Sequence, residues 1–204
     1  MIVDFDDLGA NHIINDQCQS HDCRDKLDQL HYANNNFKVT LFAIPGEMTA
    51  ELANWCKSNN TWVELAVHGF FHSSNYECAE MTYEEFDEKM QFFKPMLDEY
   101  FVNGFKAPGW QISDDCFKWL AKHKWWVGDQ SYNNVRRPKE LKAYVNNNGG
   151  FVAWDGHQDT DIDKAWHGHT WDCVGNGIYE TYDQVEEMVK SADSFQFVSE
   201  VLND

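Results

Sequence analysis

Two adjacent carboxylates, Asp6 and Asp7, close the first apolar stretch of the chain, and two histidines four apart, His68 and His72, follow the third. Adjacent carboxylates repel, so a chain that keeps both needs a cation or a shared proton nearby. A divalent metal meets that need, because two imidazoles and one carboxylate are a usual ligand set of a catalytic zinc with open positions. Without an ion the same residues read as a solvated acidic turn and as core or surface histidines. No Glu follows His68, so the metalloprotease helix signature is absent. Lys106-Ala107-Pro108-Gly109-Trp110, Asp129 and His167-Gly168-His169 come later, each at the end of a further apolar stretch.

The elements that must position these groups alternate. Apolar, β-rich stretches at 1–5, 37–44, 62–67, 103–107, 125–128, 151–154, 165–171 and 195–202 read as strands. Segments of helical period at about 22–35, 49–59, 82–101, 113–123, 137–146 and 182–192 lie between them, with Thr49, Thr82 and Ser113 as N-caps. Alternation over nearly the whole length predicts an α/β layer or barrel of parallel strands, shorter than a full eight-fold barrel. In such architectures reactive groups gather at the C-terminal ends of strands, where all five motifs lie. Tyr83, Phe86, Met90, Phe93 and Leu97 form a buried helical stripe, and Trp125 and Trp126 read as core.

The 204 residues carry 34 Asp and Glu against 16 Lys and Arg, a formal charge of −18. That field repels phosphate backbones and anionic membranes, which argues against nucleic acid and membrane partners. No apolar run is long enough to span a bilayer. The N-terminus, Met-Ile-Val-Asp-Phe-Asp-Asp, lacks the basic and apolar regions of a secretory signal, which predicts a cytoplasmic protein. The six cysteines are then expected as free thiols, and a zinc knot of His12, Cys18, His21 and Cys23 fits no common spacing.

Asp-Phe-Asp-Asp, His-x-x-x-His, Lys-Ala-Pro-Gly-Trp, an Asp after a strand and a late His-Gly-His, in that order from residue 4 to about 171, resemble the motifs of the polysaccharide deacetylases, carbohydrate esterase family four. The resemblance implies one catalytic domain over 1–204, folded as a short or distorted seven-stranded (β/α) barrel. It implies Asp6 as general base, Asp7, His68 and His72 as metal ligands, Lys106 paired with the base, Asp129 orienting the acid, and His169 as general acid. His167 is then a pocket wall, although the two histidines share a strand face and can exchange roles. Pro108, Gly109, Trp110, His167 and Trp171 are expected around the substrate. The implied cofactor is a divalent transition metal, zinc first, with cobalt, nickel or iron also accepted by the ligand set.

Several positions depart from the family pattern. Asp4 stands for Thr, Leu8 precedes Gly9, Lys106 stands for an arginine without its bidentate fork, and Asn133 stands near the place of an expected Trp. The implied reaction is hydrolysis of an amide to acetate and a free amine. The metal polarises the carbonyl and acidifies water, Asp6 takes a proton, and His169 protonates the leaving amine. The substrate expected is a small or oligosaccharide N-acyl compound, neutral or cationic in view of the charge. Trp110, Trp166 and Trp171 are candidates for sugar-stacking walls or for plain core packing. Two other classes compete: a haloacid-dehalogenase-like magnesium phosphatase using Asp4 and Asp6, and a non-catalytic carbohydrate- or partner-binding protein on the deacetylase fold.

Overall fold

Strand alternation builds the frame of the site. A computed structural model of the chain describes residues 1–10, 13–15, 18–19, 22–145, 165–172 and 177–203. In chain order the elements are β1 (Ile2–Leu8), β2 (Ile13–Asn15), β3 (Cys18–Gln19), α1 (Arg24–Ala33), β4 (Val39–Ala43), α2 (Ala50–Ser58), β5 (Val63–His68), α3 (Tyr83–Tyr100), β6 (Gly104–Lys106), α4 (Asp114–Lys122), β7 (Trp126–Asp129), β8 (Ala143–Val145), β9 (Ala165–His169), α5 (Ile178–Ser191) and α6 (Val198–Asn203). β2 and β3 pair antiparallel. The other seven strands run parallel in the order β8-β7-β6-β5-β4-β1-β9.

Four strands separate β8 from β1 in that order. A flat sheet would hold them about 24 Å apart at about 4.8 Å per strand. Yet the Tyr144 hydroxyl on β8 donates to Asp4 Oδ2 on β1 at 2.9 Å. The sheet is therefore curled into the distorted, seven-stranded (β/α) barrel that the motifs led us to expect.

Strand period two sorts the residues. Val3, Phe5, Leu41, Leu65 and Val63 point outward into a core with Leu27 and Leu30 of α1, Leu52 of α2 and Val185 of α5. Val67, Phe105 and Val127 do the same against Phe86, Met90, Phe93 and Leu97 of α3 and Phe117 and Leu120 of α4. Each fully buried Leu or Phe contributes roughly 1.5–3 kcal/mol by leaving water. Inside the curl, Ile2, Phe42, Ala66, Trp126, Tyr144 and Ala165 pack against Val198 of α6.

The N-caps form as read: Leu52 N donates to Thr49, Cys116 N to Ser113, and Thr82 with Glu85 makes a full capping box. Two expected elements differ. Instead of a helix at 137–146 the chain turns and then forms β8, because Tyr144 and Val145 bury themselves beside β7. Instead of a strand at 195–202 there is α6, whose Val198, Val201 and Leu202 satisfy helical spacing and whose first amides bond to Thr40 and Glu64. The expected strand at 151–154 lies outside the described residues.

Cys23, Cys56, Cys78 and Cys116 are free, buried thiols, and burial pushes Cys56 up to about 12. Cys173, the side chain of Cys18, His12 and His21 lie outside the described residues. Trp126 is buried in the barrel and Trp125 is half-buried against the α3/α4 core. Among the described residues no helix is long and apolar enough to cross a membrane.

Candidate metal and catalytic site

An irregularity in β1 lets consecutive aspartates serve one site. The β1–β4 register advances from Phe5↔Leu41 to Leu8↔Ala43, three residues against two, and Asp7 within that bulge has φ 68°. Regular alternation would send Asp6 and Asp7 to opposite faces, whereas a bulge re-aims one of them. The Asp7 carboxylate thereby meets the loop after β5. Its Oδ1 lies 3.1 Å from His68 Nε2 and 3.2 Å from His72 Nε2, and its Oδ2 accepts from Trp171 Nε1 at 2.7 Å. All three residues are buried, His72 being the most exposed at 9%.

Each donor is aimed by a second partner. His68 Nδ1 lies 3.1 Å from the Lys106 carbonyl oxygen, so that nitrogen carries the proton and Nε2 presents its lone pair. Glu77 accepts from the amides of Phe70, Phe71 and His72 at 3.0, 3.0 and 3.2 Å and so shapes the loop that delivers His72. Burial raises the Asp7 carboxyl, but hydrogen bonds from His68 and His72 and charge from His68 and His169 outweigh it and hold Asp7 well below the usual carboxylate range. Two imidazole nitrogens and one ionised carboxylate converging on a point are a fit for a divalent cation with open positions, the ion taking the place of the protons that the histidines share with Asp7.

Asp6 lies beside this triad. Its Oδ1 accepts from Lys106 Nζ at 2.7 Å, and its Oδ2 is 4.0 Å from His68 Nε2 and 3.7 Å from His167 Nε2. Asp4, Asp6 and Asp7 against Lys106 leave two negative charges, which one divalent ion neutralises. Asp6, His167 and His169 also converge, but there the Lys106 ammonium already supplies positive charge.

The His169 ring lies tilted by 33° against Trp171 at 4.0 Å between centroids and 3.9 Å from Asp7 Oδ2; burial pushes it down to about 3. His167, on the same strand face, sits 2.7 Å from Asp4 Oδ1 through Nδ1. Asp129 is a correction. Its carboxylate accepts from Asn133, from the Gln130 amide and from Arg137 at 2.7–2.8 Å, and neither His167 nor His169 is among its partners. Arg137, eight residues on, neutralises it locally, and Asn133 fills the place near which a Trp was expected.

Pro108 is buried, and Gly109 adopts φ 57° where a Cβ would meet Asn75 at 2.7 Å. This turn lays the Trp110 ring over the Lys106 ammonium at 4.1 Å. Trp171 borders the triad. Trp166 does not reach the site: it pairs with Val3 in register and packs against the outer core. Asp4 is fully buried with both carboxylate oxygens engaged, which leaves no nucleophile for the phosphatase alternative. Glu77 and Tyr144 were not anticipated. A loop carboxylate bonded to amides has no sequence signature, and Tyr144 lay in a segment read as helix.

No family model matches the chain, and no curated protein matches it by sequence. Solved structures do match in fold. The Xyl-CE4 domain of a multidomain xylanase from the hindgut metagenome of Trinervitermes trinervoides is 14% identical, with a TM-score of 0.60 over 99% of this chain and 88% of that one. A family 4 acetyl xylan esterase from Clostridium thermocellum, in complex with a cobalt ion, is 14% identical, with a TM-score of 0.60 over 98% and 90%. A carbohydrate esterase family four pseudoenzyme from Bacillus anthracis, BA3943, is 11% identical, with a TM-score of 0.60 over 98% and 65%. The chain thus shares its fold with the deacetylases and esterases of carbohydrate esterase family four.

Proposed function

We propose that this protein is a metal-dependent hydrolase that removes an acetyl or related acyl group from an N-acylated sugar. The observation that carries the reading is the buried Asp7–His68–His72 triad with Asp6 held by Lys106 beside it. Asp7 Oδ1 and the two Nε2 atoms would hold the ion, zinc first, with cobalt, nickel or iron also accepted. The chemistry that such an ion supplies is polarisation of the acyl carbonyl and acidification of an attacking water.

The chain's own residues do the rest. Lys106 engages Asp6 Oδ1, so the other oxygen, Oδ2, is the one that takes a proton from water. Burial keeps the His169 imidazole neutral at rest, so it hands on to the leaving nitrogen the proton that Asp6, within 4.8 Å of it, has taken from the water; His167 is the exchangeable candidate for that role. Pro108 and Gly109 shape the wall that Trp110 caps. Trp110 and Trp171 offer faces to a pyranose, and Tyr132 (52% exposed), whose hydroxyl donates to the Trp110 carbonyl at 2.9 Å, extends that rim. A peptidoglycan N-acetylglucosamine deacetylase of the same fold, Bc1960, supports an N-acetyl sugar, and the acetyl xylan esterase supports an O-acetyl sugar as the competing substrate. The non-catalytic alternative is favoured by the pseudoenzyme on this fold.

Elemental analysis of wild type and a His68→Ala/His72→Ala variant tests the reading, with acetate release from N-acetylglucosamine oligomers assayed on both and on Asp6→Asn. One divalent transition metal per chain, lost in the double variant, with acetate released only by wild type, supports it. Metal retained by the double variant overturns the triad, and an active Asp6→Asn removes Asp6 as base. Metal without acetate from any acetylated saccharide gives the binding protein its place.

A further inference from the structure

Lys106 and Asp4, departures from the family pattern in two separate motifs, meet in one contact of 3.2 Å. We infer that Asp4, Tyr144 and His167 form a built cation cradle that aims the Lys106 ammonium at Asp6, which makes them positioning residues for the general base. The inference rests on the function proposed above.

A lysine ammonium is a point charge on a flexible four-carbon stem, and unlike a guanidinium fork it cannot align itself on a carboxylate through two parallel bonds. It needs anchors. Lys106 Nζ donates to Asp6 Oδ1 at 2.7 Å and to Asp4 Oδ1 at 3.2 Å, and lies 4.1 and 4.6 Å from the ring centroids of Trp110 and Phe42. Two carboxylate oxygens and two aromatic faces replace its hydration shell. Asp4 is anchored in turn: Tyr144 donates to Oδ2 at 2.9 Å, and His167 Nδ1 sits on Oδ1 at 2.7 Å. The His167 nitrogen carries the proton in that bond, since Asp4 is ionised beside Lys106, where charge and hydrogen bonds outweigh burial. Asp4, Lys106 and Tyr144 each have 0% exposure and His167 2%, so the set is closed to solvent. Tyr144 comes from the far edge strand, so the curl of the barrel itself completes the cradle.

The test empties the cradle and refills it. Lys106→Ala removes three carbons and the ammonium, the shape of n-propylammonium. Lys106→Ala and Lys106→Ala/Asp4→Asn are melted in n-propylammonium chloride, with sodium chloride and tetramethylammonium chloride as controls, and acetate release is assayed in the same buffers. The cradle predicts a dose-dependent rise in Tm and a recovery of at least tenfold in kcat for Lys106→Ala, with neither in the double variant. No rise in Tm in Lys106→Ala, or an equal rise in the double variant, overturns it. Tyr144→Phe, which removes one hydroxyl, provides a second reading: a three- to tenfold fall in kcat with KM and metal content unchanged supports the cradle, and an unchanged kcat removes Tyr144 from it. If wild type releases no acetate the function proposed above fails, while the melting experiment still decides the cradle.

Discussion

His68 Nδ1 donates to the backbone carbonyl of Lys106 across 3.1 Å, while the ammonium of that same lysine donates to Asp6. The two residues are register partners on β5 and β6. One strand pairing therefore sets the orientation of a metal-ligand imidazole and of the carboxylate expected to act as base. A slip of one residue would turn His68 or Lys106 to the outer face and dismantle both halves together.

Glu77 should govern metal affinity without being a ligand. Its carboxylate is the acceptor for three successive amides of the loop that carries His72. Glu77→Ala leaves those amides to water and frees His72 to wander. Outer partners of metal ligands typically cost 10–100-fold in affinity when removed, and a chelator competition titration should show a loss of that order. Unchanged affinity would mean the loop is shaped by other contacts.

Gly69 should tolerate no side chain. It has φ 57°, and an added Cβ would lie 2.4 Å from Glu77 Oε2 and 2.7 Å from Pro108 Cγ. Left-handed backbone alone costs a side-chain-bearing residue about 1–2 kcal/mol, and the clash pushes on Glu77. Gly69→Ala should lower the urea-unfolding free energy by at least that much and weaken metal binding in parallel with Glu77→Ala. A stable variant with normal affinity would contradict both.

The parts of the site that were legible in sequence are those whose chemistry is carried by residue type at strand ends: Asp6, Asp7, His68, His72, Lys106 and the His167/His169 pair. Contacts across long separations were not, and the Asp4–Lys106 bond spans 102 residues. Tyr144 was hidden because a short edge strand after a charged segment carries too few residues to show period two. α6 was hidden because Phe195, Phe197 and Val201 keep a strand period of two in the same short stretch in which Val198, Val201 and Leu202 keep a helical one. The β1 bulge has no compositional mark, although the paired aspartates imply that something must bring them to one face.

Asp129 should matter for stability and leave the proton chemistry alone. Its pair with Arg137 at 2.7 Å is almost fully buried, and breaking such a pair costs about 3 kcal/mol or more because the partner charge is stranded. Asp129→Ala should melt earlier, while the pH profile of kcat in metal-loaded protein keeps its limbs in place. A carboxylate that supported the acid histidine would shift the basic limb on removal, and such a shift would restore Asp129 to the catalytic set.

Glu64 should make the protein less stable as pH rises. It sits inside the barrel at 6% exposure, and its oxygens accept from Thr40 Oγ1 at 2.9 Å, from the Ser199 amide and from the Ser199 hydroxyl. Burial raises its carboxyl above the ordinary 4.5, and the hydrogen bonds from Ser199 and Thr40 offset this only in part. The folded state then holds a proton that the unfolded chain has released, so its contribution is fully present below the unfolded value and is lost as pH climbs through the folded one. Gln at this position cannot ionise and still presents one oxygen to Thr40 and Ser199. Every other titrating group is common to the two proteins, so the difference in urea-unfolding free energy between Glu64→Gln and wild type isolates this one carboxyl. That difference should move in favour of the variant as pH rises from 4.5, then level off. A flat difference would mean that α6 leaves Glu64 enough water to ionise at its ordinary pH, and that the helix is a looser plug than its hydrogen bonds to Thr40 and Glu64 imply.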